Sequence, residues 1–306
     1  MDLVGRRGEG RALLLAARAR RSAVVVGPPG YGKTALLEAV FPALREWGPA
    51  VWADRLSPFG PFLKQVFAGL RDEGVPVPGV EFTRDAAADL KAWSRAYPTN
   101  EEKARSLHRA LLDWRERRGT QVALVVDDAS GVGPSTGPWL AAFAEAATVL
   151  AGAYPETLRK AGARRFWSRF ERVDLPPLSP AESRELVERL VRRYGVAAED
   201  PEVYKARVLA LSGGVPGEIE RLVRFVSAED LVKNRDVGTG YAEGLAHREE
   251  RGVALAPLLL VFGGLAIATR YLGLARGEMD LYVMGGVGVA AFVVFSPWLR
   301  RAVLVQ

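Results

Sequence analysis

Cysteine is absent from the 306 residues, and histidine occurs only twice. Disulfides and thiolate metal sites are thereby excluded, and two histidines argue against a structural zinc site. Lysine is scarce as well: 7 lysines in a Lys+Arg total of 42 leave 35 arginines. That bias reads as genome composition, of the kind some thermophiles show, rather than as function. The net charge of +6 divides as +4 before residue 253 and +2 after it, where Arg270, Arg276, Arg300 and Arg301 outnumber Glu278 and Asp280. A surplus so small and so spread out gives little reason to expect nucleic acid. No period of about 20–50 residues repeats, which argues against a solenoid or propeller. The opening MDLVGRRGEGR lacks a signal peptide's apolar stretch, so the first two-thirds of the chain is expected in the cytoplasm.

What is present alternates. AVVV (23–26), AVWA (50–53), QVALVV (121–126), TVLAG (148–152) and FERVDL (170–175) look like strands of a buried sheet. Helical spacing of apolar residues lies between them, over 33–45, 60–71, 101–118 and 137–147. Strand alternating with helix predicts an α/β fold with a parallel sheet. The stretch from about 55 to 120 is longer than one crossover needs and predicts a helical insertion, with VPVPG (75–79) as a loop. After Pro176 and Pro177 the strands stop. SPAESRELVERLVRRYG opens with a serine cap, and PEVYKARVLALSGG and PGEIERLVRFV come next as two further helices. The expected organisation is therefore an α/β core over 1–176, a helical lid over 177–228, a charged linker over 229–252, and a distinct tail.

Gly27-Pro28-Pro29-Gly30-Tyr31-Gly32-Lys33-Thr34, with Ala35 next, satisfies the phosphate-loop pattern between a strand and a helix. Its glycines let backbone N–H groups curl around phosphate oxygens and deliver them to a helix N-terminus. Lys33 is placed to neutralise the β- and γ-phosphates, and the Thr34 hydroxyl to ligate Mg²⁺. LVVDD (124–128) supplies the carboxylates such a site needs at the end of a neighbouring strand. Asp127 would hold the magnesium through water, and Asp128 would orient or deprotonate the attacking water. No guanine-reading NKxD element occurs, so ATP is the expected nucleotide.

LVGRRGEGRALL (3–14) resembles the hydrophobic-Gly-Arg-x-x-Glu element that precedes the phosphate loop in the STAND and Orc/Cdc6-like branches of the AAA+ superfamily. GPPGYGKTALL and LVVDDAS look like that group's nucleotide motifs, LPPLSPAESRELV resembles the start of its lid, and SGGVPGEIERLV its Gly-x-Pro element. The resemblance covers about residues 3–226. It implies an ATP-binding P-loop NTPase core with Gly5 and Arg6 near the adenine and Pro216 closing from the lid. It also implies self-association, with an arginine inserted into a neighbour's site. In RRFWSRFER (164–172), Arg169 matches that placement best and Arg165 second; a solvated arginine face or a basic aromatic patch touching nucleic acid are the alternatives. Three departures argue for slow turnover. Aspartate stands at 128 where many hydrolysing relatives have glutamate. Ala151 and Gly152 leave the family's polar sensor to Thr148 or Tyr154. Gly217 replaces an arginine common after the lid proline, with Arg221 one turn further on.

The tail reads differently. Residues 253–269 carry no charge, and 281–299 form a second uncharged run of 19 residues. As helix the second run spans about 28 Å, close to the roughly 30 Å of a bilayer core. Two runs joined by RGEMD predict a transmembrane hairpin over 253–306, with Arg270 able to snorkel and Gly264/Ala268 and Gly286/Ala290 available for helix packing. Arg248 and Arg251 before it and Arg300 and Arg301 after it place both termini in the cytoplasm and the protein in the inner membrane. The expectation is a membrane-embedded homo-oligomeric ATPase using ATP and Mg²⁺, acting on DNA or a membrane protein complex, or else a STAND-like switch with little turnover.

Overall fold

The computed structural model describes residues 3–159 and 164–226, together with scattered positions between 267 and 287. The chain divides into two compact units, residues 1–237 and 238–306. In the first, five strands form one parallel sheet: β1 (Ala23–Val26), β2 (Ala50–Arg55), β3 (Ala123–Asp128), β4 (Thr148–Ala153) and β5 (Glu171–Asp174), in the order β2-β3-β4-β1-β5.

The period of two along each strand separates two cores. Val24, Val26, Leu124, Val126, Val149 and Ala151 point to one face; Ala23, Val25, Ala123, Val125 and Leu150 point to the other. The second face is covered by α1 (Arg7–Arg18) and α2 (Lys33–Trp47) through Leu13, Leu36, Leu37 and Val40. The first face is covered by α3 (Phe59–Asp72), α5 (Asn100–Arg118) and α6 (Gly137–Ala146) through Phe62, Leu107 and Phe143. With both faces covered, β1 and β4 are buried at every residue, as central parallel strands require. β5 lies at the edge and alternates between half-buried and exposed residues.

Between β2 and β3 the chain forms three helices rather than one. Besides α3 and α5 there is α4 (Ala86–Ala96), stacked onto α3 by Trp93 and Phe67, whose ring centroids are 4.5 Å apart. Its buried Asp89 accepts hydrogen bonds from Arg71 Nε (2.6 Å) and Thr83 Oγ1 (2.7 Å). The Arg71 guanidinium holds that carboxyl below its ordinary range. β3 starts two residues later than the apolar run suggests. The half-buried Gln121 side chain instead accepts the Thr148 hydroxyl, and the strand continues through Asp128, whose carbonyl accepts the Leu56 N–H.

After β4 come the short helices α7 (Pro155–Arg159) and α8 (Arg164–Trp167), then β5. Three lid helices follow: α9 (Pro180–Tyr194), α10 (Pro201–Ser212) and α11 (Pro216–Val226). Ser179 and Glu182 form a reciprocal capping box at the start of α9, Asp200 caps α10, and left-handed Gly195 and Gly213 end those helices.

The expected linker, residues 229–252, lies outside the described residues, as does most of the expected hairpin. In the second unit, described positions within 267–276 and 279–287 are helical on either side of a turn at Gly277, φ 70°. Ile267, Tyr271, Leu274, Met279, Met284 and Val287 are exposed there. Among the described residues no helix is long and apolar enough to cross a membrane.

Candidate active site

The carboxyl ends of β1, β4 and β3 lie side by side: Val26 pairs with Ala153, and Ala151 with Val126. The segments leaving these three strands therefore meet in one crevice, the position where open α/β sheets bind ligands. β1 delivers the loop 27–34, β3 ends in Asp127 and Asp128, and β4 leads into Tyr154. The loop is anchored where Gly27 N–H reaches Ala153 O (3.3 Å). Gly30 (φ 81°) and Gly32 (φ 88°) take left-handed conformations that a side chain would strain. The second of these starts α2 at Lys33.

Lys33 Nζ donates to Gly27 O (2.7 Å) and Pro28 O (3.0 Å) and sits 4.2 Å above the centre of the Tyr154 ring. Burial pushes its pKa down, against the pull of Asp128 and Asp127. Thr34 Oγ1 donates to Asp127 Oδ2 (3.0 Å), while Asp127 Oδ1 is buried without a partner. Burial pushes the Asp127 carboxyl up, and the Thr34 hydroxyl only partly opposes this. An orphaned carboxylate oxygen beside a hydroxyl is a donor set that fits Mg²⁺, which takes few protein oxygens and completes its shell with phosphate and water. Asp128 Oδ1 accepts the Ser130 N–H (2.8 Å).

These groups line one end of a cavity of about 660 Å³. Pro29, Gly30, Tyr31, Gly32 and Ala35 complete its loop side. Leu3, Val4, Leu178, Leu186 and Leu190 give it an apolar wall. Arg6, Arg189, Arg193, Pro216, Gly217 and Glu220 also border it.

Arg6 does more than border the cavity. Its guanidinium is buried and donates to Pro176 O (2.6 Å), Tyr31 O (3.3 Å) and Glu9 (3.0 Å). One side chain thus ties the phosphate loop to the segment where core becomes lid. Gly5 lies behind the cavity, where a Cβ would come within 2.6 Å of the Glu182 carboxyl carbon, so the α9 cap packs on bare backbone. Gly27 and Pro28 act through their carbonyls on Lys33 and do not line the cavity.

Pro216 does reach the cavity, and its neighbour accounts for the missing arginine at 217. Gly217 N–H donates to Gly30 O (2.8 Å), and a Cβ at 217 would lie 2.8 Å from Gly30 Cα. No side chain fits there. Arg221 is paired with Glu218 and does not line the cavity. Thr148, one of two candidate sensors, is corrected: it lies at the amino end of β4, bonded to Gln121, at the far end of the strand from the loop. Tyr154 is the other, and it lines the cavity.

Gly152 has a steric reason of its own. A Cβ there would fall 2.1 Å from Asp127 O, and Gly152 O accepts the Ala129 N–H (2.7 Å). Gly152→Ala is therefore expected to lower the unfolding free energy by about 1–3 kcal/mol through overpacking. It should also displace Asp127 and weaken Mg²⁺-dependent nucleotide binding. Thermal melts and titrations of the variant check both.

Arg169 is not in this cavity. Phe166, Trp167 and Phe170 are buried against one another, with ring centroids 4.6–5.3 Å apart, and they turn the exposed Arg169 outward to Glu145 (2.9 Å). The Arg165 side chain lies outside what is described. Arg189, Arg193 and Glu220 were missed from sequence. Residues 186, 189, 190 and 193 are legible as one helix face, but which way it points depends on the turn that Arg6 holds at Pro176.

Residues 2–149 match the family model described as AAA ATPase domain. Among solved structures the chain is similar to the Aeropyrum pernix Orc1 protein in complex with DNA. Identity is 18% and the TM-score 0.54, over 87% of this chain and 72% of that one. It is similar also to S. cerevisiae Hsp104 in complex with casein, with 16% identity and a TM-score of 0.49 over 95% of this chain and 49% of that one. The Thermotoga maritima RuvB Holliday junction branch migration motor gives 17% identity and a TM-score of 0.44, over 76% and 67% respectively. The chain spans about half the length of the Hsp104 chain it matches. No curated protein matches its sequence. Residues 2–149 therefore match an AAA ATPase domain, on the P-loop NTPase fold that the likeness to Orc1 supports.

Proposed function

We propose that this protein is a membrane-anchored cytoplasmic ATPase that binds ATP with Mg²⁺, hydrolyses it slowly, and couples the cycle to self-assembly and to remodelling or moving a macromolecular partner. The observation that carries the reading is the convergence of Lys33, Thr34, Asp127 and Asp128 at one end of a cavity roofed by the lid. The loop's N–H groups and the Lys33 ammonium bind the phosphate chain, and Thr34 and Asp127 are the residues that would hold Mg²⁺, which would supply neutralisation of phosphate charge. Asp128 orients the attacking water and takes its proton as the bond to the leaving ADP breaks. Placing the chain at the inner membrane, multi-pass with both termini cytoplasmic, rests on the uncharged runs within 253–306 and the arginines flanking them. DNA or a membrane protein complex is the partner class.

The second reading is an assembly switch with little sustained turnover. Gly217 favours it, because it meets the loop through its backbone N–H and brings no cation to the site, and so does Arg169, which is paired within its own chain. To act on a neighbour's site Arg169 must leave Glu145. Phosphate release measured over a range of protein concentrations separates the readings. Turnover per subunit should rise with concentration in the wild type, and Arg169→Ala should remove that rise. A rate per subunit independent of concentration, and unaffected by Arg169→Ala, would sink the shared site.

A further inference from the structure

Of the charged lid groups that border the cavity, Arg189, Arg193 and Glu220, only Glu220 is an acceptor. It stands on α11 one turn beyond Gly217, and its carboxylate is fixed by the Tyr194 hydroxyl at the end of α9, which donates to Oε1 (3.1 Å). Among the described residues it makes no ion pair, so the second carboxylate oxygen has capacity to accept.

An ionised carboxylate only accepts, so whatever binds it must bring a donor, and a phosphate is repelled. Its place on α11, three residues beyond Gly217, says which part of a nucleotide that is. Gly217 touches Gly30 of the loop, and three helical residues rise only about 4.5 Å. The sugar is the part of a nucleotide joined directly to the phosphates. The base lies beyond it, and the wall made by Leu3, Val4, Leu178, Leu186 and Leu190 suits a flat, largely apolar ring. Resting on the proposed nucleotide site, we infer that Glu220 accepts a hydrogen bond from the ribose 2′-hydroxyl and makes the site selective for ribonucleotides over 2′-deoxyribonucleotides. Tyr194 positions the carboxylate without contributing a donor of its own to the sugar.

The test is equilibrium binding of ATP, 2′-deoxy-ATP and ITP, each with Mg²⁺, to the full chain and to Glu220→Ala and Glu220→Gln. The wild type should bind ATP roughly ten-fold more tightly than 2′-deoxy-ATP, the worth of one hydrogen bond to a charged group. Glu220→Ala should bring ATP down to the level of 2′-deoxy-ATP and leave the latter unchanged, with Glu220→Gln between. A purely structural role would weaken both nucleotides equally, and that result overturns the inference. So does a wild type that binds the two alike. A loss confined to the preference for ATP over ITP would put the carboxylate at the base amino group and overturn it as well. Failure of the wild type to bind any of the three would overturn the nucleotide reading itself, and this inference with it.

Discussion

Lys33→Ala is expected to lower steady-state ATP turnover by about 10²–10³-fold, the scale on which removing one preorganised charge from a phosphoryl or oxyanion site acts. The melting temperature should not fall. The Lys33 ammonium is half-buried, satisfied by the Gly27 and Pro28 carbonyls, and disfavoured by desolvation. Its removal relieves a buried charge at the cost of two hydrogen bonds, so the fold has little to lose. The transition state has much to lose, because among the described residues no other ammonium lines the cavity. Phosphate release and a thermal melt on the same preparations read the two effects separately. A variant keeping more than about a tenth of wild-type turnover would move the chemistry out of this cavity.

Asp128→Asn should have an effect of similar size and a different signature. Turnover should fall by about 10²–10⁴-fold, as loss of a general base does, while ATP affinity stays within a few-fold of the wild type. The asparagine keeps an oxygen for the Ser130 N–H, which holds the turn after β3, so the local backbone has no reason to move. It loses the ability to take a proton. Single-turnover hydrolysis alongside ATP titration makes the distinction. Affinity falling in step with turnover would assign Asp128 to binding rather than to the chemical step.

Much of this was legible from local pattern. The runs AVVV and LVV are buried on both sides because helices cover both faces of the sheet, and a continuous apolar run is the form that burial takes. The start of α9 could be read from Ser179 and Glu182 because a capping box is a contact across three residues. What escaped reading is long-range. Arg6 reaches Pro176 across 170 positions, and nothing in GRRGEG says that its guanidinium will be buried there. Gly217 against Gly30, and Gly152 against the Asp127 carbonyl, are steric facts of the assembled fold. In sequence they register only as missing side chains. Arg169 was placed by motif spacing, and its pairing with Glu145 follows from how three aromatic neighbours pack. The hydropathy of residues 253–306 remains a sequence observation, since most of those residues lie outside the described structure.

The most direct measurement is a calorimetric titration of ATP with Mg²⁺ into the full-length wild type and into Lys33→Ala. Saturable binding at one site per chain, weakened at least about ten-fold in the variant, is the expected result. A wild type that takes up no ATP, or a variant that binds it equally well, would contradict the assignment of this cavity.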